Sequence, residues 1–423
     1  MTLEQQIQEI GVKARVAARA LATLSAEGRN GILRAMADEL LARTPQLLEA
    51  NAQDLAGASE HGLNKAAIDR LRLTETRIAA MADDIRQVAQ LADPVGQTIS
   101  EWKRPNGLRI AKVRTPIGVI GIIYESRPNV TSDAAVLCIK TGNAVVLRGG
   151  SEALNSNLAI AKALQAGGTS KGLPVNAVQL IPTKAREAVA IVAAMDQYID
   201  LIIPRGGHSL IEAVVRHARM PVIKHYQGIC HVYVDKEADL KMAKQIAINA
   251  KCQRPGTCNA METLLVHRRI SEEFLGEAAP AFQEQGVEIR ADETAYAQLQ
   301  RLNYEPLARA EEKDWSTEYL DTIMSLRVVD DLNQAIDHMA RYGSHHSDAI
   351  ITSDTEAAEK FLKDVDSATV YWNASTRFTD GGEFGFGAEI GISTDKLHAR
   401  GPMGLEELTS YKYVIRGNGQ IRE

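Results

Sequence analysis

At 423 residues the chain is too long for one hydrophobic core, so the sequence predicts two or three domains. Its composition is that of a globular protein, with 45% hydrophobic and 24% charged residues. The net charge of −6, without a basic block, excludes a surface built for nucleic acid or anionic membranes. The chain shows no signal peptide and no membrane-spanning run, and its four irregularly spaced cysteines indicate reduced thiols. We therefore expect a cytoplasmic protein with neither nucleic acid nor membrane as a partner.

Residues 3 to about 92 carry apolar side chains at helical spacing, with charged side chains on the other faces. This pattern predicts a layer of helices that covers a sheet. Between residues 98 and 114, two strand-like runs flank Asn106-Gly107, which is a strong hairpin signal. Because an amphipathic hairpin needs a partner surface, we interpret it as an oligomerisation arm. The alternating last strand at 410–415 is a candidate to pair with it.

From residue 117 onward, strand-like runs alternate with helical segments, which predicts a parallel sheet covered on both faces. The helix after residue 151 is predicted to run through Leu164 and to end at a turn at Gly167-Gly168. A second α/β region begins near residue 222. The strands predicted in the two regions are 117–123, 144–147, 178–181 and 201–203, then 232–234, 263–266, 325–329, 349–352 and 368–372.

Two glycine-rich loops follow strands of the first region, at Arg148-Gly149-Gly150-Ser151 and Pro204-Arg205-Gly206-Gly207. Ligands of parallel sheets bind at the carboxyl ends of the strands. Each loop combines close backbone approach, a helix N-terminus and a cationic side chain, which suits a pyrophosphate or a 2′-phosphate. Neither loop matches a GxGxxG or Walker pattern, so plain turn chemistry is the alternative.

Cys258 lies where a helical run at 240–251 gives way to an apolar strand at 263–266. Arg254-Pro255-Gly256 ends the helix, so the chain must turn sharply there. A thiol in such a turn can be held rigidly and still be reached, as a nucleophile requires. The alternatives are a structural buried cysteine, or a zinc site with Cys252 and His267.

Four segments of the chain carry a family resemblance that extends over essentially its whole length. They are 116–129, ending in Glu125-Ser126-Arg127-Pro128-Asn129; 253–259, around Cys258; 329–350, with His345-His346; and 387–405, beginning Gly387-Ala388-Glu389. Together they resemble the aldehyde dehydrogenase superfamily and, within it, the γ-glutamyl phosphate reductases. The last two segments are the most specific, because general aldehyde dehydrogenases differ there.

The resemblance implies an α/β fold in three parts. A Rossmann-type parallel-sheet domain that binds NADP would comprise residues 1–96 and 115–225. A second α/β domain, at 226–401, would be catalytic, and 97–114 with 402–423 would form the β-hairpin oligomerisation arm. A homodimer or homotetramer is expected, and the resemblance allows a transient contact with a glutamate 5-kinase.

The resemblance also implies a reaction, in which the Cys258 thiolate attacks the acyl phosphate of L-glutamyl 5-phosphate. Phosphate leaves, NADPH reduces the resulting thioester, and glutamate-5-semialdehyde is released, which is the second step of proline biosynthesis. A free cysteine has a pKa of about 8.5, so some thiolate is available at neutral pH. The oxyanion donors implied are the backbone N–H of Cys258 and the side chain of Asn129.

General aldehyde dehydrogenases carry a Glu upstream of the nucleophile that activates a deacylating water. By position, Lys224-His225-Tyr226 stands there in this chain. Without a carboxylate base, attack of water on the thioester should be slow, which suits transfer of the acyl group to hydride.

For the cofactor, the resemblance implies Arg148 near the adenosine ribose and its 2′-phosphate, which favours NADPH over NADH. It implies Gly206 and Gly207 at the pyrophosphate and Glu318 at the nicotinamide ribose, although Glu318 could equally be a solvated acid. No metal is expected.

For the substrate, Arg127 and Arg254 are candidates to hold the phosphate, and Ser375 and Arg377 the α-carboxylate. Adjacent histidines point opposite ways, so at most one of His345 and His346 lines the pocket, with His345 as the candidate. Each of these residues has an ordinary structural role as its alternative. At the level of the whole chain, the alternatives are a CoA-acylating or other aldehyde dehydrogenase of different acyl specificity, and a non-catalytic protein that retains the fold.

Overall fold

A computed structural model describes residues 1–57, 63–125 and 127–422. Three parts of the chain lie outside the described residues: 58–62 of the predicted helical layer, Ser126, and the last residue of the predicted arm. The chain forms two compact units. Unit 1 comprises Met1–Lys224, Phe386–Gly391 and Met403–Glu423, and unit 2 comprises His225–Gly385 and Ile392–Pro402. Within the described part of the chain, no helix is both long enough and apolar enough to cross a bilayer.

Unit 1 begins with helices, as the apolar spacing predicts. Thr2 and Gln5 form a capping box at the first helix, and Ser25 and Thr74 cap the second and fifth, so polar side chains satisfy the first backbone N–H groups. The helices are α1 Leu3–Leu21, α2 Ala26–Ala42, α3 Thr44–Ala56, α4 Lys65–Leu71 and α5 Glu75–Gln90.

The sheet of unit 1 has four parallel strands whose backbones are fully or mostly buried. The chain continues through β1 Thr98–Lys103, β2 Arg109–Pro116, β3 Val119–Tyr124, α6 Asn129–Lys140, β4 Ala144–Arg148, α7 Leu154–Thr169, β5 Val178–Leu180, α8 Glu187–Ala193, β6 Leu201–Arg205 and α9 His208–His217. The strand order is β5-β4-β3-β6. Continuous β-branched runs with helical crossovers therefore produce the parallel sheet that the sequence predicts.

The predicted turn at Gly167-Gly168 is wrong, because α7 continues through both glycines to Thr169. A Cβ on Gly167 would overlap the backbone carbonyl of Ala35 on α2, and one on Gly168 would overlap Leu173 and Met36. The glycines thus permit close packing of two helices, and they do not mark the end of one.

Unit 2 contains a seven-stranded parallel sheet in the order β10-β9-β11-β8-β7-β12-β13. The sequence did not predict two of its short strands, β9 and β10. The elements are β7 Cys230–Val234, α10 Leu240–Cys252, β8 Met261–His267, α11 Ser271–Glu284, β9 Glu288–Ala291, α12 Glu293–Arg301, β10 Leu307–Arg309, β11 Ile323–Val329, α13 Leu332–Tyr342, β12 Ser347–Ile351, α14 Thr355–Asp364 and β13 Thr369–Trp372, followed by the short pair β14 Ile392–Ser393 and β15 Gly401–Pro402.

The hairpin of β1 and β2 forms at the predicted Asn-Gly turn, where Gly107 has φ of +90° and its N–H donates to the Arg104 carbonyl. The last strand, β16 Thr409–Arg416, pairs antiparallel with β2 over its whole length. Several large apolar side chains of this three-stranded sheet are exposed to solvent in the single chain. Trp102 is 41% exposed and Ile415 is 58% exposed. The predicted role of this sheet in oligomerisation stays a prediction.

Candidate active site

The loop that carries Cys258 is fixed from several directions within unit 2. Asp239 caps the start of α10, and the helix ends at Cys252, just before Arg254-Pro255-Gly256. The Asn259 side chain donates to the Thr379 carbonyl at 3.0 Å, and Thr376 Oγ1 donates to the Asn259 carbonyl at 2.8 Å. Cys258 itself remains half-buried. Hydrogen bonds therefore hold the turn from two directions, while Cys258 keeps partial exposure to solvent.

Gly228 lets the chain before β7 approach the nucleophile loop closely. A Cβ at this position would overlap the backbone carbonyl group and Cα of Cys258. The Cys230 thiol donates to the same Cys258 carbonyl, with the sulfur 3.2 Å from the oxygen. The Gly228 N–H donates to Glu318 Oε1 at 2.9 Å, and burial raises the pKa of Glu318. Glu318 therefore belongs to the surroundings of the Cys258 loop and is not a solvated surface acid.

Two histidines accompany Cys258. One ring nitrogen of His225, one of His346 and the Cys258 Sγ all lie within 4.8 Å of one another. The two rings meet edge to face, with centroids 5.6 Å apart. These residues precede β7, β8 and β12, which are neighbours in the sheet, so three loops converge at the amino-terminal edge of the strands.

The two imidazoles differ in their surroundings. His225 Nδ1 lies 2.9 Å from the Ile392 carbonyl oxygen, which can only accept, so Nδ1 carries the proton and Nε2 is the basic nitrogen of the neutral ring. His346 is fully buried, with Nδ1 2.9 Å from Ser347 Oγ. Burial lowers the pKa of His346 to about 3, so this ring is neutral at pH 7.

Of the two adjacent histidines, His346 lies beside Cys258, and the substrate candidate His345 does not belong to that cluster. His345 is exposed, and its Nδ1 donates to the Asp366 carbonyl at 2.9 Å, whereas His346 joins the cluster. From the sequence, His225 was named only as part of Lys224-His225-Tyr226, which stands where general aldehyde dehydrogenases carry a Glu. The zinc alternative does not form either, because in the described residues the group with ligand spacing around Cys258 contains neither Cys252 nor His267.

The predicted substrate groups of unit 2 flank the same loop. Arg377 donates from Nε to Gln253 Oε1 at 2.8 Å and from Nη1 to Thr257 Oγ1 at 3.1 Å. Ser375 is buried, and its hydroxyl accepts from the Arg377 N–H at 3.3 Å, while Arg254 is exposed. The structure thus brings Arg254 and Arg377 to the nucleophile loop, whereas Ser375 acts as a cap for the turn at 376–378.

In unit 1, Asn129 is the first residue of α6, and Arg127 is exposed just before it. The Asn129 side-chain amide donates to Asp133 Oδ2 at 2.8 Å. Burial is the main cause that raises the pKa of Asp133 to about 6. Asp133, with Asp84, Gln87 and Glu389 among others, lines a cavity of about 180 Å³. Sequence reasoning did not identify Asp133, which has no motif of its own.

The predicted cofactor groups of unit 1 lie at the carboxyl ends of its strands. Arg148 ends β4, is buried, and donates to the carbonyls of Gly149 and Ala185. Its Nε has no hydrogen-bond partner in the described part of the chain. Gly206 and Gly207 lead from β6 into α9, and the Gly207 N–H donates to Glu125 Oε2 at 3.0 Å. A carboxylate therefore sits on the N–H group that was predicted to receive a pyrophosphate.

The model of the aldehyde dehydrogenase family matches residues 2–299. The γ-glutamyl phosphate reductases of Moorella thermoacetica and Geobacter metallireducens are 55% and 52% identical to the chain, each over 100% of both sequences. The chain belongs to the γ-glutamyl phosphate reductase branch of the aldehyde dehydrogenase family. The crystal structure of the γ-glutamyl phosphate reductase of Thermotoga maritima, 46% identical, superposes with a TM-score of 0.96 and covers 98% of this chain and 99% of that one.

Membership of this family makes the protein an oxidoreductase. It also confirms the resemblance and the α/β fold class that the sequence predicts. The roles assigned to individual site residues stay predictions, as does the division into three domains.

Proposed function

We propose that the protein reduces L-glutamyl 5-phosphate to L-glutamate 5-semialdehyde and phosphate with NADPH, in the second step of proline biosynthesis from glutamate. The observation that carries this proposal is the setting of Cys258. A half-buried cysteine lies on a turn that hydrogen bonds hold in place, with two imidazole rings beside it. The full-length relatives named γ-glutamyl phosphate reductase support the choice of substrate.

In the acyl-transfer step, Cys258 Sγ attacks the carbonyl carbon of the acyl phosphate and phosphate leaves. Nε2 of His225 is the basic nitrogen of the neutral ring, so it can accept the thiol proton. His346 is buried and neutral at pH 7, so it carries no positive charge that would make His225 a weaker base. Arg254 and Arg377, on and beside the nucleophile loop, supply positive charge for the phosphate and the α-carboxylate.

The family resemblance assigns the role of oxyanion donor to the backbone N–H of Cys258 in unit 2 and, separately, to the amide of Asn129 in unit 1. An amide nitrogen has two hydrogens, and in unit 1 one of those on Asn129 is held by Asp133. This bond fixes the amide plane and leaves the second hydrogen to donate to developing negative charge. Asp133 is thus a positioning residue for Asn129.

The residues of unit 1 fit a dinucleotide. A Cβ on Gly207 would meet no atom within 4 Å, so a ligand can approach the backbone at the start of α9. Arg148 offers a buried cation at the end of β4, on the other side of β3 from β6. NADPH, when bound, supplies the hydride that reduces the thioester. In unit 2, Glu318 uses Oε1 to accept from Gly228, which leaves Oε2 for a ribose hydroxyl.

The remaining predictions form part of this proposal. The exposed apolar side chains on β1 and β16 support a homodimer or homotetramer built through that sheet. The four cysteines are all free thiols, which fits a cytoplasmic location. Contact with a glutamate 5-kinase remains a proposal that rests on the shared intermediate alone.

The reverse reaction tests the proposal. Purified protein is mixed with glutamate-5-semialdehyde, NADP⁺ and inorganic phosphate, and NADPH formation is followed, with arms that omit phosphate or replace it with CoA. We expect strict dependence on phosphate, because Lys224-His225-Tyr226 stands, by position, where general aldehyde dehydrogenases carry the Glu that activates a deacylating water. NADPH formation without phosphate would indicate a hydrolytic aldehyde dehydrogenase, and dependence on CoA would indicate a CoA-acylating one. Either result would overturn the proposed reaction.

A further inference from the structure

The cluster of His225, Cys258 and His346 has the composition of a transition-metal site. Thiolate and imidazole are the ligands that Zn²⁺ prefers, and one donor atom from each residue lies within 4.8 Å of the others. The donors come from three loops ahead of adjacent strands, so the sheet holds them near one another. In a tetrahedral zinc site such donors stand about 3.5 Å apart. Small rotations of these side chains would close the difference.

A second observation points to a ligand at His346. His346 is fully buried, and its Nε2 has no hydrogen-bond partner in the described part of the chain. Its other nitrogen is already engaged by Ser347 Oγ, at 2.9 Å. A buried polar atom without a partner is uncommon and costs free energy, and a metal bond to Nε2 would remove that cost. His225 has the complementary arrangement, since its Nδ1–H is held by the Ile392 carbonyl as the outer nitrogen of a metal-bound histidine usually is.

We infer that His225, Cys258 and His346 form an inhibitory site for a soft divalent cation, with Zn²⁺ as the fitting ion. On binding, the Cys258 thiol releases its proton to solvent and its sulfur bonds the metal, with two neutral imidazoles as further ligands and water in the fourth position. No electrons are transferred. The sulfur that would attack the acyl group is then occupied, so metal binding and acyl transfer exclude one another. Loss of the metal to a chelator restores the thiol.

The test uses the full-length protein in buffer without thiols or chelators. Co²⁺ serves as a spectroscopic probe, because thiolate ligation gives it a charge-transfer absorption, and Zn²⁺ serves as the inhibitor. We expect one Co²⁺ per chain with that absorption, Zn²⁺ inhibition that EDTA reverses, and alkylation of Cys258 by iodoacetamide that slows at least about tenfold in Zn²⁺. The metal titration and the alkylation do not depend on turnover, so they report on the site even if the proposed substrate is wrong.

Matched variants assign the ligands. His346→Gln and His225→Gln should each weaken metal binding about a hundredfold, because loss of an outer-shell partner alone costs 10–100-fold. His217→Gln removes an exposed imidazole at the end of α9, and Cys252→Ala removes a half-buried thiol, and both should keep wild-type affinity. If His346→Gln does not fold, His225→Gln and the wild-type absorption still decide the question. Equal affinity in His225→Gln and wild type, or bound Co²⁺ without thiolate absorption, would overturn the inference.

Discussion

The two sheets present candidate chemistry at opposite ends of their strands. In unit 1 the proposed cofactor groups lie at the carboxyl ends of β3, β4 and β6, and they are backbone N–H groups and charges, such as Gly207, Arg148 and Glu125. In unit 2 the groups precede β7, β8 and β12, and they are reactive side chains around Cys258. We therefore expect ligand binding in unit 1 to depend on the balance of charge. In unit 2 we expect the reaction to depend on the position of one sulfur, which the packing of neighbouring backbone determines.

The largest expected effect separates these two functions. Cys258→Ala removes the nucleophile and should reduce phosphate-dependent NADP⁺ reduction at least about a thousandfold. Binding of NADP⁺, measured by calorimetry, should change little, since the proposed binding groups remain. Cys252→Ala is the matched control, because it removes a thiol from the adjoining helix end without touching the turn. Near-normal turnover in Cys258→Ala would remove the thiol from the mechanism.

How far each region could be predicted follows from the range of the interactions that form it. The turn at Cys258 was predictable because helix spacing, Pro255-Gly256 and the apolar strand are neighbours in sequence. The approach of His225 depends on strand order, which no local pattern encodes. His345 has φ of +58°, a left-handed conformation that local alternation does not reveal, so the choice between His345 and His346 could not be made from the sequence.

The glycines also show that features set by residues close in sequence could be predicted, whereas those set by distant residues could not. Gly107 was correctly predicted as a turn residue, since the flanking strands are adjacent in sequence. Gly167 and Gly168 were misinterpreted because the partner that requires them, α2, lies far upstream. The roles of Glu125 and Asp133 were not predicted for a related reason. Each side chain accepts a hydrogen bond that forms only when the chain is folded.

A second prediction tests whether backbone packing positions the sulfur. Gly228→Ala would place a methyl group onto the Cys258 carbonyl, so the nucleophile loop must shift. A displacement of about 1 Å can cost about a hundredfold in rate, and we expect a loss of that size in turnover and slower alkylation of Cys258. Gly276→Ala is the matched control. Gly276 lies inside α11 with no atom within 4 Å of an added Cβ, so that variant should keep full activity and gain up to about 1 kcal/mol of stability.

A third prediction concerns the charge of Asp133 in unit 1. Its folded-state pKa is raised to about 6, so between the unfolded value near 3.9 and pH 6 the folded state binds the extra proton. Stability from this group is therefore present at low pH and lost as pH rises through 6. Asp133→Asn should raise the free energy of unfolding at pH 7 by about 2 kcal/mol and leave it unchanged near pH 3.5. Urea denaturation at the two pH values measures the difference.

Asp133→Asn also tests whether the negative charge of Asp133 has a role in the reaction. Asp133→Asn keeps an acceptor for the Asn129 amide but removes the negative charge. If the charged bond orients the amide, the variant should lower turnover and remove a decline in the wild-type rate below pH 6, while NADP⁺ affinity is unchanged. A more stable variant with an unaltered pH profile would show that the Asn129–Asp133 bond is only structural. Asp84→Asn offers a comparison on the same cavity, because it keeps the Asn129–Asp133 bond but removes a charge that helps to raise the pKa of Asp133. It should retain turnover and move the decline in rate to lower pH.

The smallest effect is expected at the start of α9. The Glu125 carboxylate accepts from the Gly207 N–H, and an anionic pyrophosphate that uses this N–H must displace it against like charge. Glu125→Gln removes the negative charge but keeps a hydrogen-bond acceptor, so NADP⁺ should bind about three- to tenfold more tightly, by about 1 kcal/mol. The gain should shrink at high ionic strength. Glu212→Gln removes an exposed carboxylate from the next turn of the same helix and serves as the control. Weaker binding in Glu125→Gln would mean that the carboxylate assists the cofactor, and that charge balance does not govern this end of unit 1.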